Sequence, residues 1–216
     1  MEQNNSANRE SQTATRILVI GSGGREHAIG WKFAEDFKQK GQEVELFFIP
    51  GNAGTAQIGT NVSVSSIEEM KNFAKENQID LTFVGPEAEL SEGIVDIFQK
   101  ENLNVFGPHK AAAQLEASKA FAKDFMDKYG VKTAKYKNFQ GPMLAIDYLK
   151  TQEYPIVVKA SGLAAGKGVI ICQDFEEAKQ AVLDIMEDKT FGDAGNEVVI
   201  EEYLEGFEAS ILSFFN

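Results

Sequence analysis

Residues 161–169 read SGLAAGKGV and follow the apolar run YPIVVKA. Glycines let backbone N–H groups approach an anion closely, and the lysine at position 167 adds a point charge, so this composition suits phosphate. The pattern is not a Walker A loop, which needs four residues between its first Gly and the Gly-Lys pair and a Ser or Thr after the Lys. Here three residues separate Gly162 from Gly166, and Gly168 follows Lys167. Lys159 ends the run that feeds this loop, and Lys119 lies on a helix upstream. Either lysine alone reads as a solvated surface charge, whereas two of them beside a glycine hairpin make a phosphate clamp.

A second group of loops lies earlier in the chain. GSGGREHA follows the apolar run RILVI and opens a helical pattern, so its glycines and the helix N-terminus could hold an anion together. The dinucleotide fingerprint would require Gly at position 26, which is Glu. PGNAGT and VGPEAEL close two further apolar runs, and in a parallel sheet all three loops reach the same edge. Each of the last two alone would be an ordinary turn; three on one rim form a pocket. IEEYLEGFE places four glutamates around an apolar centre, which reads as a solvated strand end and turn, and His109 reads as a surface residue.

The elements that must position these loops alternate between strand and helix. RILVI is a short continuous apolar run, as for a strand buried on both faces, and Ile29, Phe33 and Phe37 then recur at helical spacing. EVELFFI predicts a strand, Ile67, Met70, Phe73 and Ala74 a helix, IDLTFVG a strand, Ile94, Val95 and Phe98 a helix, and LNVFG a strand. Repeated units of this kind predict an open parallel sheet over residues 16–117. A second unit, 118–216, begins near ASKAFAKDFMDKYG, a helix with Phe121, Phe125, Met126 and Tyr129 on one face and Gly130 as its C-terminal cap. TAKYKNF, PIVVKA and GVIICQ predict strands, MLAIDYLK a helix, and DFEEAKQAVLDIME a helix opened by its Asp. EVVIEEYL and EASILSFF predict two strands joined by a turn at Glu205 and Gly206.

Composition narrows the classes. With 216 residues, 43% hydrophobic and 25% charged, the chain can bury a core as one large or two small domains. A net charge of -12 provides no basic field for nucleic acid or an anionic membrane, so a phosphate ligand needs local lysines and glycines. The single cysteine, Cys172, excludes a disulfide within the chain and reads as a buried core thiol. Residues 1–15 are polar, without the apolar segment of a signal peptide, and predict a disordered tail on a cytoplasmic protein.

Taken in order, VIGSGGREHAIGWK, PGNAGT, VGPEAEL, AAAQLEASKAFAKDFM, VVKASGLAAGKGV, FGDAG and VIEEYLEGFEAS closely resemble the phosphoribosylamine–glycine ligase (glycinamide ribonucleotide synthetase) family, over residues 16 to about 215. The resemblance implies a Rossmann-like N-terminal domain followed by the first part of an ATP-grasp domain. It implies that GLAAGKGV, with Gly162, Gly166, Lys167 and Gly168, is a lid that closes over ATP phosphates. Lys119 and Lys159 would contact those phosphates, Glu201, Glu202 and Leu204 of the hinge would meet adenine, and Glu208 would bind ribose hydroxyls. Phosphoribosylamine would lie among the N-terminal loops. Gly23, Gly24, Arg25, Glu26 and His27 of the first, and Gly51, Asn52, Ala53, Gly54 and Thr55 of the second, would sit near its phosphate and ribose. Gly85, Pro86 and Glu87 of the third would complete the rim, where the usual family form has Pro in place of Glu89.

The activity implied is ATP-dependent joining of glycine to phosphoribosylamine through a glycyl phosphate, with magnesium bridging the phosphates. The family's magnesium ligands, glycine-binding groups and C-terminal domain follow the point matched by Asn216, so the chain is expected to lack metal ligands and to be inactive alone. Two alternatives stay open: another ATP-grasp ligase of purine metabolism, and a non-catalytic module that binds a nucleotide or ribose phosphate.

Overall fold

The computed structural model describes residues 14–211. The chain divides into two compact units between Ala113 and Gln114. Most of the expected tail, residues 1–13, lies outside the described residues.

The first unit contains β1 (Thr15–Gly21), α1 (Gly24–Gln39), β2 (Val44–Pro50), β3 (Thr60–Asn61), α2 (Ile67–Glu76), β4 (Leu81–Val84), α3 (Glu87–Glu92), α4 (Ile94–Lys100) and β5 (Val105–Phe106). Its sheet runs β3-β2-β1-β4-β5, and every pairing is parallel. The central strand β1 shows why RILVI carries no polar position. Leu18 and Ile20 pack on one face with Met70, Ile94 and Phe98, while Ile17 and Val19 pack on the other with Leu46, Phe48, Phe33 and Phe37. Strand alternation thus divides one apolar run between two cores. The sequence reading lacked β3, α3 and α5 (Lys110–Ala117). β3 is only two residues long, and α3 follows Pro86 with no apolar period of its own.

The second unit contains α6 (Lys119–Lys128), β6 (Tyr136–Phe139), α7 (Pro142–Leu149), β7 (Ile156–Ala160), β8 (Val169–Cys172), α8 (Phe175–Met186) and β9 (Val198–Glu202). Its antiparallel sheet is ordered β6-β9-β7-β8. α7 and α8 cover one face, burying Leu149, Val182 and Ile185 against Ile156, Val158, Ala160, Val198 and Ile200. Asp174 caps α8 by accepting the Glu177 N–H at 3.0 Å, and Gly130 follows α6 at φ +68, both as the sequence predicts. Cys172 is fully buried, and burial, reinforced by Glu177 and Asp174, pushes its thiol up to about 11.

The aromatic face of α6 is turned outward: Phe121, Phe125 and Tyr129 are exposed, Met126 is half-buried, and Ala120 and Lys123 are the buried positions. The helix turns that way because Lys123 has a buried carboxylate partner, described below. No strand follows β9 among residues 203–211, which covers the first half of the expected EASILSFF strand; its residues 212–215 lie outside the described residues. β9 already pairs with β6 on one side and β7 on the other, so it has no free edge for a hairpin partner. Among the described residues no helix is long and apolar enough to cross a membrane.

Candidate functional site

At the carboxyl ends of β2, β1 and β4, the three glycine-containing loops meet on one rim of the first unit. Gly51 N–H donates to Gly21 O (3.2 Å), Gly85 N–H to Ile20 O (3.0 Å), and the Asn52 side-chain amide to Ser22 O (2.8 Å). Asn52 also organises its own turn. Its Oδ1 accepts the Gly54 and Thr55 N–H groups at 2.7 and 3.0 Å, and its N–H donates to Oγ1 of the fully buried Thr55 at 2.7 Å. The His27 ring lies against Gly54, while Ala53 is exposed.

Glu26 faces inward. It is 3% exposed, accepts the Gly23 N–H at 2.8 Å and the Arg25 Nε–H at 3.1 Å, and sits where a Cβ on Gly21, Gly23 or Gly85 would fall within 2.4, 2.8 or 2.3 Å of its side chain. Only glycine admits a carboxylate so close to the backbone at these points. Arg25 also donates to Gly85 O (3.3 Å) and lies 3.7 Å from Glu87, yet its side chain remains 67% exposed. The buried Glu26 therefore fixes a guanidinium that still faces solvent. Gly24 and Glu87 are exposed beside it, and Pro86 precedes α3 in extended conformation. This rim can present amide and guanidinium donors to a small anion.

In the second unit, the sheet face opposite α7 and α8 carries the candidate charges. β7 and β8 pair Val157 with Ile171 and Lys159 with Val169, while β9 aligns Glu201 with Val157. Lys159 and Lys123 both donate to Glu201 Oε2 at 2.9 Å. Lys119 donates to Gly162 O at 3.0 Å, and its pKa is lowered, first by burial and then by the neighbouring Lys159 ammonium, against the pull of Glu116 and Glu201. Ser161 ties α6 to the glycine loop: its carbonyl accepts the Lys119 N–H (2.8 Å) and its Oγ the Ala120 N–H (3.1 Å). The loop then projects outward, with Ala165, Gly166 and Lys167 exposed and Gly168 buried at its base. Ala165 and Gly166 both adopt left-handed backbone, at φ +48 and +75.

The chain matches two family models along its length: phosphoribosylglycinamide synthetase, N domain, at residues 15–116, and phosphoribosylglycinamide synthetase, ATP-grasp (A) domain, at residues 117–216. It belongs to the phosphoribosylglycinamide synthetase family. A phosphoribosylamine–glycine ligase of Clostridium acetobutylicum is 53% identical over 201 residues, an alignment covering 92% of this chain and 47% of that protein. The crystal structure of phosphoribosylamine–glycine ligase from Thermotoga maritima superposes with TM-score 0.73 at 37% identity, over 89% of this chain and 45% of that one. The biotin carboxylase domain of a Hydrogenobacter thermophilus 2-oxoglutarate carboxylase, at 20% identity and TM-score 0.69, covers 90% of this chain and 45% of that one and shares the fold. The chain thus spans about half the length of the relatives it matches. Its fold is the family's Rossmann-like sheet followed by the opening portion of an ATP-grasp domain.

Within that family frame, the structure draws together Lys119, Lys159, Gly162 and Glu201, and leaves other expected residues apart from them. Glu202 points to the opposite sheet face and accepts the Lys135 N–H at 2.8 Å; Leu204 and Glu208 are exposed beyond the end of β9. Sequence reasoning missed Lys123, Ser161 and the apolar trio Val157, Val169 and Ile171. The trio had a signal: period-two alternation through IVVKA and VIIC places it on the face of Lys159. Val169 and Ile171 are 46% and 51% exposed, an apolar shelf beside the ammonium groups.

Proposed function

We propose that this chain supplies the substrate rim and the first part of the nucleotide site of an ATP-dependent ligase joining glycine to phosphoribosylamine. The products would be glycinamide ribonucleotide, ADP and phosphate. The observation that carries this reading is the meeting of Lys119 and Lys159 at the glycine loop, beside Glu201, in a chain that matches both domains of one ligase family.

The residues fit ATP. Glu201 Oε1 is buried and, among the described residues, has no hydrogen-bond partner, so it is an acceptor suited to an incoming N–H donor. Val169 and Ile171 offer apolar surface for a flat base, and the two ammonium groups with the loop N–H groups suit a polyphosphate. ATP would supply the phosphoryl group that turns the glycine carboxylate into a glycyl phosphate, an acyl donor to the amine of phosphoribosylamine. The chain's own residues would act by position and charge. Lys119 and Lys159 would hold phosphate oxygens, and Gly162, Gly166, Lys167 and Gly168 would close over them, which limits hydrolysis of the acyl phosphate. Glu202 and Leu204 would flank the base, and Glu208 would meet the ribose. On the rim, Arg25, held by Glu26, would join Asn52 and the loop N–H groups in receiving the phosphate and ribose of phosphoribosylamine.

Magnesium and a cytoplasmic location belong to the same proposal, and no described residue is assigned to the metal. The test is the substrate dependence of ADP release by the full-length form, since the chain spans about half the length of its relatives. ADP release should require glycine and phosphoribosylamine together. Release with another carboxylate or another ribonucleotide would replace this reading with a different ATP-grasp ligase, and nucleotide binding without release would favour a non-catalytic module.

A further inference from the structure

Glu201 is 4% exposed, so its carboxylate needs a counter-charge whether or not a ligand is bound. Two lysines share its Oε2, and they are held differently. Lys123 is 8% exposed, also donates to Thr133 Oγ1 at 2.7 Å, and lies 5.7 Å from the centre of the Tyr136 ring. Lys159 has a more open side chain, 25% against 10%, and among the described residues Glu201 is its hydrogen-bond partner. If Lys159 were the sole counter-ion, moving it to a phosphate would strand a buried carboxylate, and the gain at the phosphate would be offset by that loss.

We propose that Lys123 is the resident counter-ion of Glu201 and thereby a positioning residue for nucleotide binding: it keeps the carboxylate paired so that Lys159 can turn to the phosphate chain. This rests on the nucleotide reading above. Lys123 itself touches no ligand in this scheme; it acts through Glu201 on Lys159. Without it, Lys159 becomes the obligatory partner of Glu201 and is withheld from phosphate.

The test compares ADP with adenosine in the full chain, by calorimetric titration of the unaltered protein, Lys123→Met and Lys123→Met/Glu201→Gln. In Lys123→Met the affinity for ADP should fall about 10- to 100-fold, the worth of a charge-assisted hydrogen bond, with adenosine affinity changed far less. In the double variant the neutral amide no longer holds Lys159, and the preference for ADP over adenosine should return. Loss of ADP and adenosine in parallel, or a preference for ADP that the double variant fails to restore, would overturn the proposal by assigning Lys123 to the fold alone. If Lys123→Met does not fold, Glu201→Gln alone keeps the idea open to refutation, since it should preserve the ADP preference. A Glu201→Gln protein that binds both ligands equally would overturn it. Failure of the unaltered protein to bind ADP would overturn the nucleotide reading itself and this proposal with it.

Discussion

The rim of the first unit and the glycine loop of the second both offer backbone amides and cations to anions, yet they are built to opposite specifications. On the rim, Asn52, Thr55 and Glu26 spend their polar atoms on neighbouring backbone, and three loops are cross-linked before any ligand arrives. The glycine loop is anchored at its ends, by Ser161 and by the Ala160 N–H to Gly168 O bond of 2.8 Å, while its tip stands exposed in left-handed backbone. A site for one small phosphate ester gains from preorganisation. A site that must admit a nucleotide and then exclude water gains from a segment with few tertiary contacts.

The contrast can be broken by substitution. The largest effect should come from Lys159→Met, which removes the charge proposed to meet phosphate yet leaves Glu201 paired with Lys123. In the full-length form, turnover with ATP at subsaturating concentration should fall about 100-fold, the usual loss on deleting one such donor, with little change in thermal midpoint. A large fall in that midpoint would mean that Lys159 serves the fold. Next, Gly85→Ala forces a methyl within 2.3 Å of Glu26 and should cost about 1–3 kcal/mol in urea unfolding, as overpacking does. Gly166→Ala meets nothing within 4 Å and bears only its φ of +75, so it should cost about 1 kcal/mol and act mainly on turnover. Equal stability losses in these two alanine variants would erase the distinction between rim and loop.

The smallest effect concerns pH. Lys119 has its pKa lowered from 10.5 by burial and by Lys159, so the folded chain releases this proton before the unfolded chain does. Between the folded and unfolded values the unfolded state binds more protons, and stability must rise with pH across that window. Below the window the penalty is present in full. Lys119→Met should therefore be more stable than the unaltered chain at neutral pH and should lack the rise toward pH 10.5, as read from urea midpoints across the series.

Much of this was legible in the residues. RILVI announces a strand buried on both faces because no polar position interrupts it, and GSGG, PGNAGT and GPE announce turns at strand ends. In α6 the helical spacing shows that the aromatics share a face but not where that face points; the helix buries Lys123 against a glutamate far along the chain on β9. Spacing cannot display a pairing between elements so distant in sequence. Glu26 was legible as part of a functional loop, but its inward orientation depends on the absence of side chains at Gly21, Gly23 and Gly85, which only the three-dimensional packing reveals.

That carboxylate among glycines also bears on how such a chain can drift over time. Positions 21, 23, 26 and 85 share one volume, so a methyl gained at any of the glycines is tolerable only after the acid has shortened, and restoring the acid is then blocked by the methyl. The order of change is therefore constrained: once a methyl has entered, it must be lost before the acid can be regained.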